Sequence, residues 1–391
     1  MIHKTRLLTP GPTPIPEEVR LALARDMIHH RKSEFTECMG RVLEGLKYLF
    51  QTTQPVLPLS CSGTGAMTAA VTNLFAPGEK VLVVEGGKFG ERWSEIADSH
   101  GLEIVAVPIA WGQAVQPKHI EGSLENWPDI RGVLVQASET STGVRHPIGA
   151  LGKLLQKRDV MLVVDGISAV GVSPCPMDEW HIDCLVTGSQ KGLMLPPGLG
   201  FIALSQRAWT RVETVKPKNF YFDMLKEREK SLARQTLYTS PVNLIMGLEA
   251  SLHSFRSTGL KEVFRKQWAL TCMARTGVQE MGLALLARDN FTWGLTSVSL
   301  PPGIDGAALL DVCARDYGVI MAGGQGRLKG RIVRIGHMGH VDYADLFAGL
   351  HALQRSFVKC GGVIGSRDYL ERAAQAYEDG LETFDQDRSH V

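Results

Sequence analysis

One aspartate and one lysine each follow a short apolar run in the middle of this 391-residue chain. The run at 160–164 ends in Asp165, and the run at 184–186 leads through Thr187-Gly188-Ser189-Gln190 to Lys191. A desolvated lysine amine has a lowered pKa and is a nucleophile that can form a Schiff base. A carboxylate can hold a pyridine nitrogen in its protonated form. These are the two groups that pyridoxal phosphate (PLP) chemistry requires.

The elements around these two residues must bring them together. Short apolar runs bounded by glycine and polar residues are typical of buried strands in a parallel sheet. Such runs occur, with helical spacing between some of them, at 80–85, 103–108, 132–136, 160–165, 183–187 and 200–204. This βαβ rhythm predicts an α/β fold with a mostly parallel sheet sandwiched by helices. Ligands bind at the carboxyl ends of such strands, where Asp165 and Lys191 should meet.

Both residues also have ordinary structural interpretations. A lysine taken alone is more often solvated or ion-paired, and the neighbouring Asp165 favours the catalytic alternative. Asp165 could instead cap a helix that follows the strand, although Ser168 could do the same. The sequence leaves these alternatives for Asp165 open. If the strand continues, Ile167 lies on the same face as Asp165, because side chains two residues apart point the same way. It could then touch a cofactor ring or be a plain core residue.

Three further segments could contribute to such a site. Ser62-Gly63-Thr64-Gly65-Ala66 precedes an apolar helical pattern, and a glycine-rich turn at a helix start offers N–H groups to a phosphate. It could also be only a tight turn. Phe89 could lie flat on a cofactor ring or be a core aromatic. The stretch 136–143 supplies hydroxyl groups, or is an ordinary polar loop.

Arg334 is the candidate group for binding a substrate carboxylate. It lies in the strand candidate 331–335, where a guanidinium inside a site would bind a carboxylate through two hydrogen bonds. The alternative is a solvated arginine on an exposed strand. The twelve histidines form no HExxH pattern, and no cysteine or carboxylate cluster joins His337 and His340. We therefore expect no metal site.

Composition excludes several classes of function. Forty-two basic and 41 acidic residues leave a net charge of +1, so no general basic field would hold nucleic acid or an acidic membrane surface. No apolar run approaches the roughly 20 residues that span a bilayer, and no apolar signal core follows Met1. Seven cysteines without a CxxC pair argue against zinc ribbons, iron–sulfur clusters and disulfide scaffolds. We expect a cytoplasmic protein.

The chain divides into four segments by pattern. Prolines make residues 1–16 an extended arm over a surface or a partner. Residues 17–258 form the large domain that would bind PLP, and 259–365 form a smaller α/β domain. Residues 366–391 are an amphipathic, then acidic tail, which we predict to be a surface helix that frays.

Taken together, these motifs resemble the class V, fold-type I PLP-dependent aminotransferases, in the alanine–glyoxylate and serine–glyoxylate branch and especially its cyanobacterial type. The resemblance extends from the Thr9-Pro10-Gly11-Pro12 segment to the Arg334-Ile335-Gly336 segment. Its strongest marks are Glu139-Thr140-Ser141-Thr142-Gly143, Val164-Asp165 and Gly188-Ser189-Gln190-Lys191-Gly192. The sequence departs from animal relatives at Phe89, Ala66 and Thr236, where they have tryptophan, histidine and tyrosine.

The resemblance implies a role for each site residue. Lys191 would carry the Schiff base, and Asp165 would pair with the pyridine nitrogen. The cofactor would otherwise be held by Thr64, Gly65, Ala66 and Gln190 at its phosphate, by Phe89 and Ile167 on its ring and by Thr140 near its phenolic oxygen. Arg334, with Gly11 close by, would bind the substrate carboxylate. Thr236 and Thr239 would reach the phosphate of a neighbouring subunit, which implies a homodimer with shared active sites.

The implied function is transamination between a small amino acid and a keto acid, alanine or serine with glyoxylate or pyruvate, by a ping-pong mechanism. Two alternatives stay open. A lyase of the cysteine-desulfurase type needs a mobile cysteine ahead of the carboxylate-binding arginine, and the stretch 321–328 has none. A non-catalytic interaction subunit would have no need of both Lys191 and Asp165.

Overall fold

The computed structural model describes residues 4–384. Within them the strands are β1 Arg6–Leu8, β2 Val56–Leu59, β3 Lys80–Glu85, β4 Glu103–Pro108, β5 Ile130–Gln136, β6 Ser138–Glu139, β7 Val144–Arg145, β8 Met161–Asp165, β9 Cys184–Gly188, β10 Gly200–Leu204, β11 Ala284–Leu285, β12 Leu295–Ser299, β13 Val319–Gly323 and β14 Ile332–Gly336. The α-helices are α1 Glu17–Leu23, α2 Ser33–Phe50, α3 Gly63–Leu74, α4 Lys88–Ser99, α5 Pro117–Asn126, α6 Ile148–Leu155, α7 Gln206–Val215, α8 Met224–Leu232, α9 Val242–Thr258, α10 Leu260–Glu280, α11 Gly306–Tyr317, α12 Tyr343–Lys359 and α13 Tyr369–Thr383.

The large sheet has seven strands in the order β2-β10-β9-β8-β5-β3-β4. Strand β10 runs antiparallel to both of its neighbours, and the pairs β9/β8, β8/β5, β5/β3 and β3/β4 are parallel. The six strands predicted from the sequence are all present in this sheet, with ends that shift by at most two residues. Sequence reasoning missed β2, whose run of four residues contains a proline.

Alternating side chains of the central strands enter two separate cores, one on each face of the sheet. Leu162 and Val164 of β8 pack into one core, and Val163 packs into the other. This alternation follows from the two-residue period of a strand. Because both faces are covered, the strands read as unbroken apolar runs, and polar side chains appear only where the strands end.

The smaller layer is a five-stranded sheet in the order β1-β13-β14-β12-β11. Its strand β1 comes from the N-terminal segment and pairs in parallel with β13. The prediction of an arm that only lies over a surface or a partner is therefore wrong for Arg6–Leu8. These residues are an edge strand, and Leu8 is buried in the core that this sheet shares with α10–α13.

The predicted tail begins with α13, which packs tightly along α10. A Cβ atom added to Gly380 would lie 2.9 Å from the Cα of Ala269, so glycine permits this close approach. Asp385 and Asp387, which belong to the predicted acidic end, lie outside the described residues. No helix within residues 4–384 is long and apolar enough to cross a membrane. The proposed division of the chain at 258/259 stays a prediction.

Candidate active site

Asp165 and Lys191 lie at the carboxyl edge of the large sheet. Strand β8 ends at Asp165, its parallel neighbour β9 ends at Gly188, and Lys191 follows three residues later. Asp165 is 4% exposed, and its Oδ1 accepts a 2.8 Å hydrogen bond from the amide of Ile167. No helix follows, so the helix-capping interpretation of Asp165 is wrong. The oxygen Oδ2 has no hydrogen-bond partner within residues 4–384.

Burial changes the pKa of both groups in the direction that favours their neutral forms. It raises the pKa of Asp165 to about 7, with a further rise from Glu139 and opposing effects from the Ile167 amide and the Lys191 charge. Burial lowers the pKa of Lys191 to about 8, and the positive charges of Arg334 and Arg92 lower it further while Asp165 opposes. Lys191 therefore loses its proton near pH 8, well below the ordinary lysine value of 10.5, so the neutral amine that a nucleophile or general base requires becomes available there.

Arg334 brings a guanidinium from the small sheet into the same site. It is 6% exposed, so the interpretation as a solvated strand arginine is wrong. Its Nε donates to the carbonyl of Gly323 at 2.9 Å, and its Nη1 donates to the carbonyl of Thr140 at 2.9 Å. These bonds fix the plane of the guanidinium, and Nη2 has no acceptor within residues 4–384. One edge of the group is thus available to a carboxylate.

The N-terminal segment passes directly over Lys191. The Nζ of Lys191 donates to the carbonyl of Pro10, and the Oγ1 of Thr13 donates to the carbonyl of Lys191 at 2.9 Å. Gly11 has φ +122°, and a Cβ atom there would lie 2.5–2.7 Å from the Lys191 side chain. Gly11 is thus needed for backbone conformation and for close approach. Sequence reasoning placed Gly11 near the site but did not identify its contact with Lys191.

The glycine-rich turn opens α3, as the sequence predicts. Ser62 is the N-cap residue, its Oγ accepting from the amide of Gly65 and its carbonyl from the amide of Ala66. The amides of Gly63 and Thr64 have no acceptor within residues 4–384, so they are the free donors at this helix end. The methyl group of Ala66 is fully buried. The sequence predicted that Thr64, Gly65 and Ala66 hold the phosphate. The amides of Gly65 and Ala66 are already bonded to Ser62, so the amides available to a phosphate are those of Gly63 and Thr64.

Ile167 and Gln190 lie at this turn and at the end of β9, and Thr140 lies beside Arg334. The Cδ1 of Ile167 would lie 2.6 Å from a Cβ placed on Gly63, so Ile167 covers the turn. The carbonyl of Gln190 accepts from the amide of Thr13 at 3.2 Å, and its side-chain Oε1 lies beside Gly188. Thr140 is buried, with its carbonyl held by Arg334. The three residues therefore lie around one site.

Phe89 lies in the first turn of α4 and is half-buried, so it is not a core aromatic. The guanidinium of Arg92, one helical turn later, lies over its ring at 4.9 Å. Arg92 also donates to the Oγ1 of Thr64 at 3.4 Å. Sequence reasoning missed Arg92, although its i+3 spacing from Phe89 is the signal that could have found it.

Glu139 is the second residue that sequence reasoning missed. Its carboxylate is fully buried and accepts hydrogen bonds from the amides of Phe89 and Gly90 at 3.0 Å and of Ser141 at 3.1 Å. It also accepts from the Ser141 hydroxyl and the Gln136 side chain. Burial raises the pKa of Glu139, and these bonds oppose the rise. Glu139 thereby fixes the start of α4, which carries Phe89.

Thr236 and Thr239 are not brought to this site by contacts within residues 4–384. The Thr236 hydroxyl donates to the carbonyl of Tyr238 at 2.7 Å, and the carbonyl of Thr236 accepts from Arg31. Thr239 is exposed and lines a surface cavity with Met27. Their expected reach to a neighbouring subunit stays a prediction.

The chemistry of the donor set fits PLP. Two free amides at the start of α3 suit a phosphate, and Asp165, which is 4% exposed, has an Oδ2 without a hydrogen-bond partner in the described residues. Lys191 supplies an amine with a lowered pKa within electrostatic reach of that carboxylate. The half-buried face of Phe89 suits an aromatic ring.

The sequence matches the aminotransferase class-V family over residues 16–335. The chain belongs to this family. Its members use PLP, and the fold described above is the fold-type I architecture. The site residues fall inside the matched range, except those of the N-terminal segment that passes over Lys191.

Relatives in the family carry several names. The L-aspartate–glyoxylate aminotransferase of Paracoccus denitrificans is 36% identical, in a match that covers 96% of this chain and 98% of that protein. The serine–glyoxylate aminotransferase of Methylorubrum extorquens is 32% identical, covering 94% and 96%. A protein named soluble hydrogenase, small subunit, from Synechococcus is 35% identical, covering 92% and 95%.

Solved structures share the whole architecture. The pyridoxamine–pyruvate aminotransferase of Mesorhizobium loti superposes with a TM-score of 0.92 at 25% identity, covering 96% of this chain and 98% of that one. The alanine–glyoxylate aminotransferase of Nostoc superposes with a TM-score of 0.87 at 27% identity, covering 91% and 96%. The similarity therefore spans both sheets and the site between them.

Proposed function

We propose that this chain transfers an amino group from a small amino acid, alanine or serine, to glyoxylate or pyruvate by a ping-pong mechanism. The observation that carries the proposal is the meeting of Lys191, Asp165 and Arg334 in one buried site. The relatives named for serine–glyoxylate and alanine–glyoxylate transfer support these substrates. The relative named for aspartate makes that donor the one to compare.

PLP, when bound, supplies an electron sink for the bond that breaks at the substrate Cα. Lys191 moves the proton at that carbon, because its lowered pKa makes the neutral amine available near pH 8. Asp165 would hold the ring nitrogen of bound PLP in its protonated form. Arg334 would orient the substrate carboxylate with Nη2, which has no acceptor within residues 4–384, and the Thr140 and Gly323 carbonyls hold that guanidinium in position.

The lyase alternative lacks its nucleophile. The stretch 321–328, which covers the end of β13 and the loop after it, holds no cysteine. Cys313 on α11 is buried, and burial raises the pKa of its thiol to about 11. A protonated thiol in a core is a poor nucleophile. This argues for transamination over desulfuration.

The interaction-subunit alternative rests on the Synechococcus relative named as a hydrogenase subunit. Against it, Lys191 and Asp165 each bear a desolvation cost in this site. A protein that kept only the fold would gain stability by losing these two groups. We therefore propose an enzyme.

We further propose a cytoplasmic homodimer in which Thr236 and Thr239 complete the partner's phosphate site. Lys191→Ala and Thr236→Ala should each be inactive alone. If sites are shared, a mixed dimer of the two has one site with both Lys191 and Thr236 intact, so mixing should restore part of the activity. The two variants mixed without subunit exchange serve as the control. No recovery after proven exchange would remove Thr236 from the partner's site.

A half-reaction screen tests the function. Purified PLP-loaded protein is mixed with alanine, serine, aspartate and glutamate in turn, and the visible absorbance of the bound cofactor is followed. Alanine or serine should convert the cofactor fastest, with one keto acid released per site. Release of sulfide or alanine from cysteine would favour the lyase.

Two variants assign the roles. Lys191→Ala should lose turnover while keeping the fold, and borohydride should attach the cofactor to Lys191 in the wild type. Arg334→Ala should raise the donor KM about 100-fold, since hydrogen bonds between charged groups contribute about 1.5–3 kcal/mol. Its affinity for PLP should change little. An equal loss of PLP affinity would remove Arg334 from substrate binding.

A further inference from the structure

A second cavity, of about 610 Å³, opens between the β7–α6 region and the loop that leads into β12. It is lined by Arg145, His146, Pro147, Ile148, Gly149, Ala150, Lys153, Trp180, Trp268, Asp289, Asn290, Phe291 and Trp293. None of the residues assigned above to cofactor or substrate lines it. The cavity is therefore separate from the active site.

Arg145 places a guanidinium in this cavity without an anionic partner. Burial lowers its pKa, yet within residues 4–384 its side chain makes no ion pair and no hydrogen bond. Its Cζ lies 5.3 Å from the centroid of the Trp293 ring, and Cys175 acts on the guanidinium electrostatically. Arg145 is half-buried, and a partly desolvated charge is costly unless it is paired. A negatively charged group would supply that pairing.

The start of α6 adds donors to the same cavity. Its N-cap residue, Pro147, has no side chain that could accept a hydrogen bond. The amides of Gly149 and Ala150 have no acceptor within residues 4–384, and both residues line the cavity. A helix start with free amides favours an anion, and Lys153 one turn later adds positive charge.

The single carboxylate on the wall does not neutralise Arg145. Asp289 lines the cavity, but it forms no ion pair with Arg145. Its charge acts instead on Arg275, whose pKa it raises against the effect of burial. The described lining of the cavity thus has two basic side chains and two free amides but one carboxylate, so its charge favours an anion.

Aromatic rings form the remaining walls. Trp268 and Phe291 are stacked, with centroids 5.9 Å apart and planes inclined by 18°, and Trp268 lies 5.2 Å from Trp293. Across the cavity, Gly149 lets α6 approach Trp180, since a Cβ there would lie 3.3 Å from the indole. Flat apolar walls favour a flat ligand.

We propose that this cavity binds a small aromatic carboxylate. Arg145 binds the carboxylate, the amides of Gly149 and Ala150 and the Lys153 ammonium add to its stabilisation, and the indoles contact the ring. The site differs from the active site, where Arg334 binds an aliphatic carboxylate beside the cofactor.

The test uses PLP-loaded protein and 2-naphthoate as the probe, with 2-naphthamide as its uncharged match. Binding is measured by calorimetry and by the change in tryptophan fluorescence. We expect naphthoate to bind at least tenfold more tightly than the amide, and Arg145→Gln to weaken naphthoate at least tenfold without changing transamination. Arg131→Gln, an exposed arginine on β5, is the matched control.

Arg334→Ala separates the two carboxylate sites, because it should leave naphthoate binding in the second cavity intact. Equal affinity for acid and amide in the wild type would overturn the proposal, whatever the variants do. So would loss of binding in Arg334→Ala but not in Arg145→Gln. Binding that appears only after removal of residues 385–391 would assign the cavity to the chain's own acidic segment instead.

Discussion

Arg334 on the small sheet and Lys191, three residues beyond strand β9 of the large sheet, carry like charges into one site. After burial, the charge of Arg334 is the largest contribution that lowers the pKa of Lys191 to about 8. A substrate carboxylate bound to Arg334 would offset that charge. The same arginine that binds the substrate therefore also tunes the base that acts on it.

Removing the Arg334 charge should raise the pKa of Lys191 without restoring the value of a solvated lysine. In PLP-free Arg334→Gln protein, burial still lowers this pKa, so it should lie between about 8 and 10.5. The measurement is the pH dependence of Lys191 modification by an amine reagent, followed by peptide mapping. An unchanged midpoint would show that the two groups do not interact. Arg131→Gln is again the control, since its exposed guanidinium should leave the midpoint unchanged.

Asp165→Asn should have opposite effects on stability and on cofactor binding. The folded-state pKa of about 7 exceeds the ordinary value of 3.8, so the folded protein binds more protons between these pH values. The ionised carboxylate thus lowers stability progressively as pH rises from about 4 to 7, by at most about 4 kcal/mol. PLP-free Asp165→Asn should be more stable than wild type at pH 8 and equal at pH 4, by urea unfolding.

The same variant should bind PLP more weakly, because an amide cannot hold the ring nitrogen in its charged form. PLP titration at pH 8 measures this loss directly. A variant that bound PLP as tightly as the wild type would remove Asp165 from its role. If Asp165→Asn were less stable than the wild type at pH 8, the raised pKa of Asp165 would be contradicted, but its role in cofactor binding would not.

The sequence predicted the strands of the large sheet because these strands are buried on both faces. Runs such as 160–164 must then be apolar throughout, and their polar ends identify Asp165 and Lys191. It could not predict that Arg6–Leu8 joins the small sheet, since a three-residue edge strand carries almost no pattern. Arg334 was predicted because an arginine suits a carboxylate ligand. Its burial could not be predicted, since it depends on the carbonyls of Gly323 and Thr140, which come from distant segments.

Glu139 was missed because its function is to accept backbone hydrogen bonds. Five donors meet its carboxylate, and none of them is visible in a sequence pattern. Glu139→Gln would turn an amide NH₂ toward some of these donors. We expect a loss of about 2–3 kcal/mol in the free energy of unfolding, as for a buried acceptor that is lost.

Glu139→Gln should also weaken PLP binding, because Phe89 loses the anchor of its helix. Glu125→Gln, an exposed acid on α5, is the matched control and should change neither quantity by more than about 0.5 kcal/mol. Urea unfolding of PLP-free protein and PLP titration give the two values. Lost stability with unchanged PLP affinity would make Glu139 a structural residue only.

Gly11→Ala should abolish most activity by steric means. The new methyl group would lie within 2.5–2.7 Å of the Lys191 side chain, so either the arm or the lysine must move. Gly303→Ala is the control for backbone strain, because Gly303 also has a positive φ (+88°) but has no atom within 4 Å of an added Cβ. Steady-state turnover and the rate of PLP attachment to Lys191 should fall in Gly11→Ala alone. If both variants lost activity equally, strain in the chain and not contact with Lys191 would explain the glycine.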